Sequence, residues 1–221
     1  MIYLEKEYLN FFNELSENNN KLWFDENRKR YEKFVKKPFE NLITDLIAEL
    51  SNIDLKITMQ TKDAMFRINR DIRFSNDKTP YKTQMSALIS ANGKKDNAYP
   101  GYYIQIGLEG IALAGGIYQA DKDTIQKFRT YIANNLDEFQ KLTNDKNFKK
   151  YFNSLQGEKS KLIPKDFKEI INKEPFLANK QLYYWVEINK ETIYSENLKE
   201  IILEYFNSAE KMKSFLTKAI S

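Results

Sequence analysis

Sixteen residues hold most of the side chains able to do chemistry: Arg67-Ile68-Asn69-Arg70-Asp71-Ile72-Arg73-Phe74-Ser75-Asn76-Asp77-Lys78-Thr79-Pro80-Tyr81-Lys82. Five cations and two carboxylates are packed into this stretch. A guanidinium presents a rigid fork of donors that matches phosphate or carboxylate oxygens two at a time. At three-residue steps Arg67, Arg70 and Arg73 would project to one side of a helical or 3₁₀ turn, so the spacing predicts an anion clamp, joined by Lys78 and Lys82. Asp71 and Asp77 can orient those guanidiniums, or one can serve as a general base. Tyr81 sits between Lys78 and Lys82, and two ammonium groups aimed at it would lower its phenol pKa. The candidate catalytic groups are thus Asp71, Asp77 and Tyr81. The same residues also fit a structural ion-pair network that pins a crossover to a sheet, with Pro80 fixing a turn that Ser75 or Asp77 caps.

Composition narrows the chemistry further. The 221 residues include no Cys and no His. Disulfides, thiolate nucleophiles, zinc-thiolate and iron–sulfur sites, imidazole acid/base catalysis and His-ligated metals are therefore all excluded, and no metal site is expected. Carboxylate, amine, guanidinium, phenol, hydroxyl and amide remain, and they name no particular cofactor. With 35 basic and 31 acidic residues the net charge is only +4, short of the excess a dedicated nucleic-acid binder carries. The expected partner is an anionic small molecule, phosphorylated or carboxylated. A binding module for nucleic acid or an acidic protein stands as the alternative. The start, Met1-Ile2-Tyr3-Leu4-Glu5-Lys6-Glu7, lacks the basic-then-apolar run of a signal peptide, and no apolar stretch is long enough to span a bilayer, so a cytoplasmic chain without membrane contact is expected. Oligomeric state is not legible.

These side chains need a scaffold, and the hydrophobic pattern supplies one. Leu4, Tyr8, Phe11, Phe12 and Leu15 recur at helical spacing, and the run Asn18-Asn19-Asn20 offers a stop and a new N-cap. A long helix follows from Leu22 to Leu50, which Pro38 should kink or restart. Trp23, Asn27 and Tyr31 share one face of it and can line a pocket or a core. Ile53, Leu55, Ile57 and Met59 alternate with polar residues, which predicts a strand. Further strands are predicted over residues 84–91, 102–108, 111–114 and 181–188, with Glu109-Gly110 as a hairpin turn. Gly115 and Gly116 then read as ending a strand ahead of a helix capped by Asp121; their backbone N–H groups are a second candidate anion-binding element, or simply a bend. Residues 156–179 read as a long ordered loop or a lid, and Ser195 caps a last helix. Consecutive strands bracketed by helices predict an α+β fold, one domain over 1–221, with a largely antiparallel sheet flanked by N-terminal and C-terminal helices.

The Arg-rich string also carries a resemblance. Arg67-Ile68-x-Arg70-Asp71-x-Arg73-Phe74-Ser75-x-Asp77-Lys78-x-Pro80-Tyr81-Lys82 resembles the signature of the domain-of-unknown-function 2461 family of conserved hypothetical proteins. The likeness extends to Asn20-Lys21-x-Trp23-Phe24-x-x-Asn27-x-x-x-Tyr31, to Pro100-Gly101-Tyr102-Tyr103, to Ala114-Gly115-Gly116-Ile117-Tyr118 with Arg129, and to the closing helix over residues 198–216. It departs at Pro164-Lys165-Asp166-Phe167 and at Glu174-Pro175, so it implies no shared chemistry there. What the resemblance implies is an α+β fold with no established activity.

Overall fold

The computed structural model describes residues 1–221. It is an α+β protein built on one four-stranded antiparallel sheet in the order β1-β2-β3-β4, namely Gln84–Ile89, Tyr102–Gly107, Gly110–Ile117 and Leu182–Ile188. β2 and β3 form a hairpin whose Gly110 has φ +111, a left-handed value that glycine adopts without steric cost. No helix is long and apolar enough to cross a membrane.

The chain forms two compact units and alternates between them. The first comprises Met1–Lys94, Tyr103–Ala112 and Glu187–Leu203; the second comprises Lys95–Tyr102, Leu113–Val186 and Glu204–Ser221.

In the first unit, α1 (Lys6–Glu17) buries Tyr8, Phe11, Phe12 and Leu15, the stripe legible in the sequence. The Asn20 side chain accepts the Trp23 N–H and starts α2 (Lys21–Glu26). α3 (Arg28–Tyr31) continues through a π turn, Glu32–Lys36, into α4 (Lys37–Ile53). The π turn lies just before Pro38, whose missing N–H removes one helical hydrogen bond, so the helix is re-registered there rather than broken.

The strand expected over 53–59 is absent. α4 runs to Ile53, and Asp54 then makes a turn in which its carbonyl accepts the Ile57 N–H at 2.9 Å. Leu55 is 83 % exposed while Ile57 is buried, so these apolar residues share no face. The two-residue alternation is a helix end and an Asp turn side by side. α5 (Thr61–Ala64) follows, and residues 65–83 lead from it into β1.

In the second unit, α6 (Lys122–Asn134) is capped by Asp121, whose carboxylate accepts the Thr124 N–H at 2.8 Å, and α7 (Leu136–Thr143) and α8 (Lys146–Phe152) follow. Residues 156–179 hold three short 3₁₀ turns and are pinned by Arg129 of α6. Its Nε donates to the Leu177 carbonyl at 2.8 Å, and its Nη2 to Ser160 Oγ at 2.7 Å and the Asn179 carbonyl at 3.2 Å. α9 (Leu198–Ile220) closes the chain.

The glycine pair requires a correction to its strand boundary. β3 continues through Gly115 and Gly116 to Ile117 instead of stopping at Ala114. A Cβ on Gly115 would lie 2.4 Å from the Tyr184 hydroxyl, and one on Gly116, where φ is +99, would lie 2.4 Å from the Leu182 carbonyl. The two glycines therefore admit β4 at close approach.

Candidate functional site

Residues 67–82 are an irregular ribbon, not a helical turn. Asn69 pairs antiparallel with Tyr81, the Arg70 N–H bonds the Pro80 carbonyl at 2.9 Å, and the Lys82 N–H bonds the Ile68 carbonyl at 2.9 Å. The expected convergence of three guanidiniums at three-residue steps fails for this reason. An extended chain aims side chains at that spacing in different directions, whereas a 3₁₀ turn would have aligned them.

Each arginine of the ribbon has its own surroundings. Arg73, 75 % exposed on its side chain, is held by Asp71 through bonds of 2.9 Å from Nε and 2.6 Å from Nη2. Arg70 reaches across the loop to the Asp77 carboxylate and the Thr79 hydroxyl. Lys78 Nζ donates to the Ile72 carbonyl at 2.9 Å. These contacts stiffen the loop 71–79 from within. Between them Phe74 stands 96 % exposed at the tip.

Asp71 and Asp77 are poor bases in this setting. The Arg73 guanidinium, with help from the Arg73 N–H, pulls Asp71 down to about 2, and the Thr79 N–H together with Arg70 and the Thr79 hydroxyl does the same for Asp77. Tyr81 corrects the sequence reading outright. Its ring is buried and stacks on Phe24 with centroids 4.0 Å apart, and burial raises its pKa, the Asp25 charge adding to the effect. No lysine activates the phenol, because Lys78 turns back to the Ile72 carbonyl and Lys82 to the Phe66 ring, 5.7 Å from Nζ to the ring centroid.

Arg67 differs from the others. It opens into a cleft of about 530 Å³ in the first unit, whose floor includes Phe24, Tyr31, Phe66, Ile68, Tyr81 and Met85. The cations there are Arg28, Lys36, Lys62, Arg67 and Lys94; the carboxylates are Glu32 and Glu40. Most of the cations are engaged. Arg28 pairs with Asp25 at 2.5 Å, Lys36 with Glu32 at 3.1 Å, and Lys94 donates to the Met65 carbonyl at 2.6 Å. The Arg67 guanidinium and the Lys62 ammonium have neither an ion-pair nor a hydrogen-bond partner. Lys82, half-buried beside Phe66, has its pKa lowered by burial and by the Arg67 charge, so the neighbourhood is electropositive.

The cleft thus brings together Arg67 and Tyr81, with Lys82 against Phe66 of its wall. It does not include Arg70, Arg73, Lys78, Asp71 or Asp77, and Gly115 and Gly116 belong to the second unit. Of the helical face Trp23, Asn27 and Tyr31, Tyr31 lines the cleft; sequence reasoning missed Lys62, Lys94, Asn69 and the charged helical side chains. One signal was available for the last group: Arg28, Glu32, Lys36 and Glu40 recur every four residues, a charged stripe on one face of the helical run.

Fold and site define an α+β protein with a cation-lined, aromatic-floored cleft. The chain belongs to the family of conserved hypothetical proteins DUF2461, which it matches over residues 7–215. No curated protein and no solved structure matches it.

Proposed function

We propose that the cleft binds a small anionic molecule, phosphorylated or carboxylated, with Arg67 as the principal contact and Lys62 beside it. One observation carries the reading: of the six arginines, Arg67 alone has no partner, and it faces a cleft already rich in cations. Repulsion among unpaired like charges is relieved when an anion enters, and the guanidinium fork gives two parallel hydrogen bonds to its oxygens. Arg70, Arg73, Asp71 and Asp77 act in this reading as the loop's internal ties. We read the site as one of binding: of the groups nominated as bases, Asp71 and Asp77 lie outside the cleft and Tyr81 has no cation aimed at its hydroxyl.

Inorganic phosphate and citrate, titrated at constant ionic strength, should raise the melting temperature saturably, since a ligand selective for the native state stabilises it by mass action. Arg67→Gln should abolish the shift, and Arg67→Lys should recover only part of it. A saturable shift that survives in Arg67→Gln, or none in the parent protein, overturns the reading.

A second reading rests on Phe74 and Arg73 at the exposed loop tip. A free aromatic face beside a guanidinium suits stacking with single-stranded nucleic acid. Oligonucleotide affinity that falls steeply with salt and is lost in Phe74→Ala would support it; salt-independent or absent binding would remove it.

A further inference from the structure

We infer that the anion taken by the cleft is a nucleoside monophosphate, its phosphate on Arg67 and Lys62 and its base on the apolar floor; the inference rests on the anion-binding reading above. Charge in the cleft is segregated by chain segment. Residues 62–69 and Lys94 bring only cations, Lys62, Arg67 and Lys94, whereas the helical run brings compensated pairs, Glu32 with Lys36 at 3.1 Å and Glu40 with Lys37 at 3.4 Å, beside Arg28. A bare phosphate would use the first set and leave the paired carboxylates, which still accept hydrogen bonds, unused. A ligand with a phosphate at one end and hydrogen-bond donors at the other satisfies both. Ribose hydroxyls and an exocyclic amine are such donors.

The second observation is Asn69. Its side-chain amide lines the cleft and makes no hydrogen bond within the chain. An amide offers a donor and an acceptor side by side, whereas an inorganic anion only accepts. The edge of a nucleobase carries both functions, and adenine in particular pairs with such an amide through N6 and N7.

The floor is the third. Phe66 is half-buried and lines the cleft, with Lys82 Nζ 5.7 Å and Lys94 Nζ 6.0 Å from its ring centroid, next to Met65 and the buried Met85. A small hydrated anion gains nothing from this surface and loses water over it. A planar heterocycle gains stacking and thioether contact. The volume of about 530 Å³ lies within the usual range of small-molecule sites, roughly 300–1,000 Å³.

Titration calorimetry of the full chain with inorganic phosphate, ribose 5-phosphate and adenosine 5′-monophosphate tests this. Adenosine monophosphate should bind at least about tenfold more tightly than ribose 5-phosphate, the discrimination expected of one bidentate base contact. Asn69→Ala, a change to an exposed side chain, should erase that difference and leave phosphate affinity as it was, while Arg67→Gln should weaken all three ligands. Equal affinity for ribose 5-phosphate and adenosine monophosphate, with phosphate still bound, overturns the nucleotide inference and leaves the anion site standing. So does a preference for adenosine monophosphate that persists unchanged in both Asn69→Ala and Phe66→Leu. Failure of all three ligands to bind overturns the inference together with the reading beneath it.

Discussion

Arg129 and Arg67 are the same side chain in opposite circumstances. Arg129, 4 % exposed, spends its donors on the 156–179 segment, on the carbonyls of Leu177, Ala178 and Asn179 and on the Ser160 hydroxyl. It has no carboxylate, so burial lowers its pKa, and the carbonyl dipoles take the place of a counter-ion. Arg67 is exposed, and its donors meet nothing from the chain. The contrast separates two uses of a guanidinium. Where the chain supplies every acceptor, the group is a tie; where it supplies none, the group stays solvated and open to an acceptor from outside, as the proposed function requires. Arg70 and Arg73 fall between, paired with carboxylates, Arg70 half-buried and Arg73 largely in water.

The largest effect expected from breaking this comparison is at Arg129. Arg129→Met keeps much of the volume and removes all the donors, leaving buried carbonyls of Leu177 and Asn179 unpaired. At about 1–3 kcal/mol for each unsatisfied buried group, the loss should be about 3 kcal/mol, read as a lower urea midpoint with the slope unchanged. A loss below about 1 kcal/mol would mean that water replaces the guanidinium and that it is no tie.

Next come the ties of the loop. Arg70→Ala releases Asp77 and the Thr79 hydroxyl from one partner, but Asp77 keeps the Thr79 N–H at 2.9 Å. Amide exchange across 71–79 should accelerate on the order of fivefold, the scale of one solvent-screened pair, with global stability nearly unchanged. Acid gives the same information without mutation. Asp71 and Asp77 have folded pKa values of about 2 against an ordinary 3.8, so the stabilisation they give the loop is complete above the ordinary value and is lost as pH falls towards about 2. Loop exchange, corrected for intrinsic rates, should stay flat from neutrality to about pH 4 and rise below it. A rise beginning near pH 6 would show that these carboxylates are not the ties.

The comparison also explains what was legible in advance. α1 was readable because its partners lie three and four residues apart on one helix, and the β2–β3 hairpin because its turn is local. The Asn20 and Asp121 caps were readable for the same reason. The family likeness and the α+β class followed from these and from the Arg-rich string. The site was legible only in part. Arg67 was named as part of a clamp that needed a helical turn and Tyr81 as a catalytic phenol, and the ribbon made by the Asn69–Tyr81 pairing separates them from Arg70 and Arg73. Lys62 and Lys94 meet in the cleft through a fold that brings α5 beside β1, and no spacing rule sees that. The strand expected over 53–59 failed because four apolar residues are too few to tell alternation from a helix end.

Tyr81 tests the discarded catalytic role of its phenol at small cost. Its ring stacks on Phe24, and its hydroxyl pairs with no group of the chain. Tyr81→Phe should therefore shift stability by less than about 0.5 kcal/mol and leave phosphate binding intact. Loss of binding in that variant would return the phenol to the site.

The smallest expected effect is the most discriminating. Arg67 makes no hydrogen bond or ion pair whose loss would be felt in the empty protein, and removing its charge relieves repulsion with Lys82 while giving up a weak attraction to Asp71. Arg67→Gln should therefore leave the urea midpoint of the ligand-free protein unchanged within about 0.5 kcal/mol, or raise it slightly. On the proposed reading phosphate should widen the difference, stabilising the parent and not the variant, and the gap should grow with the logarithm of its concentration. A ligand-free variant destabilised on the scale expected for Arg129→Met would show that Arg67 is tied to the chain after all. The two arginines would then be alike, and the cleft would lose the one donor that distinguishes it from a well-solvated crevice.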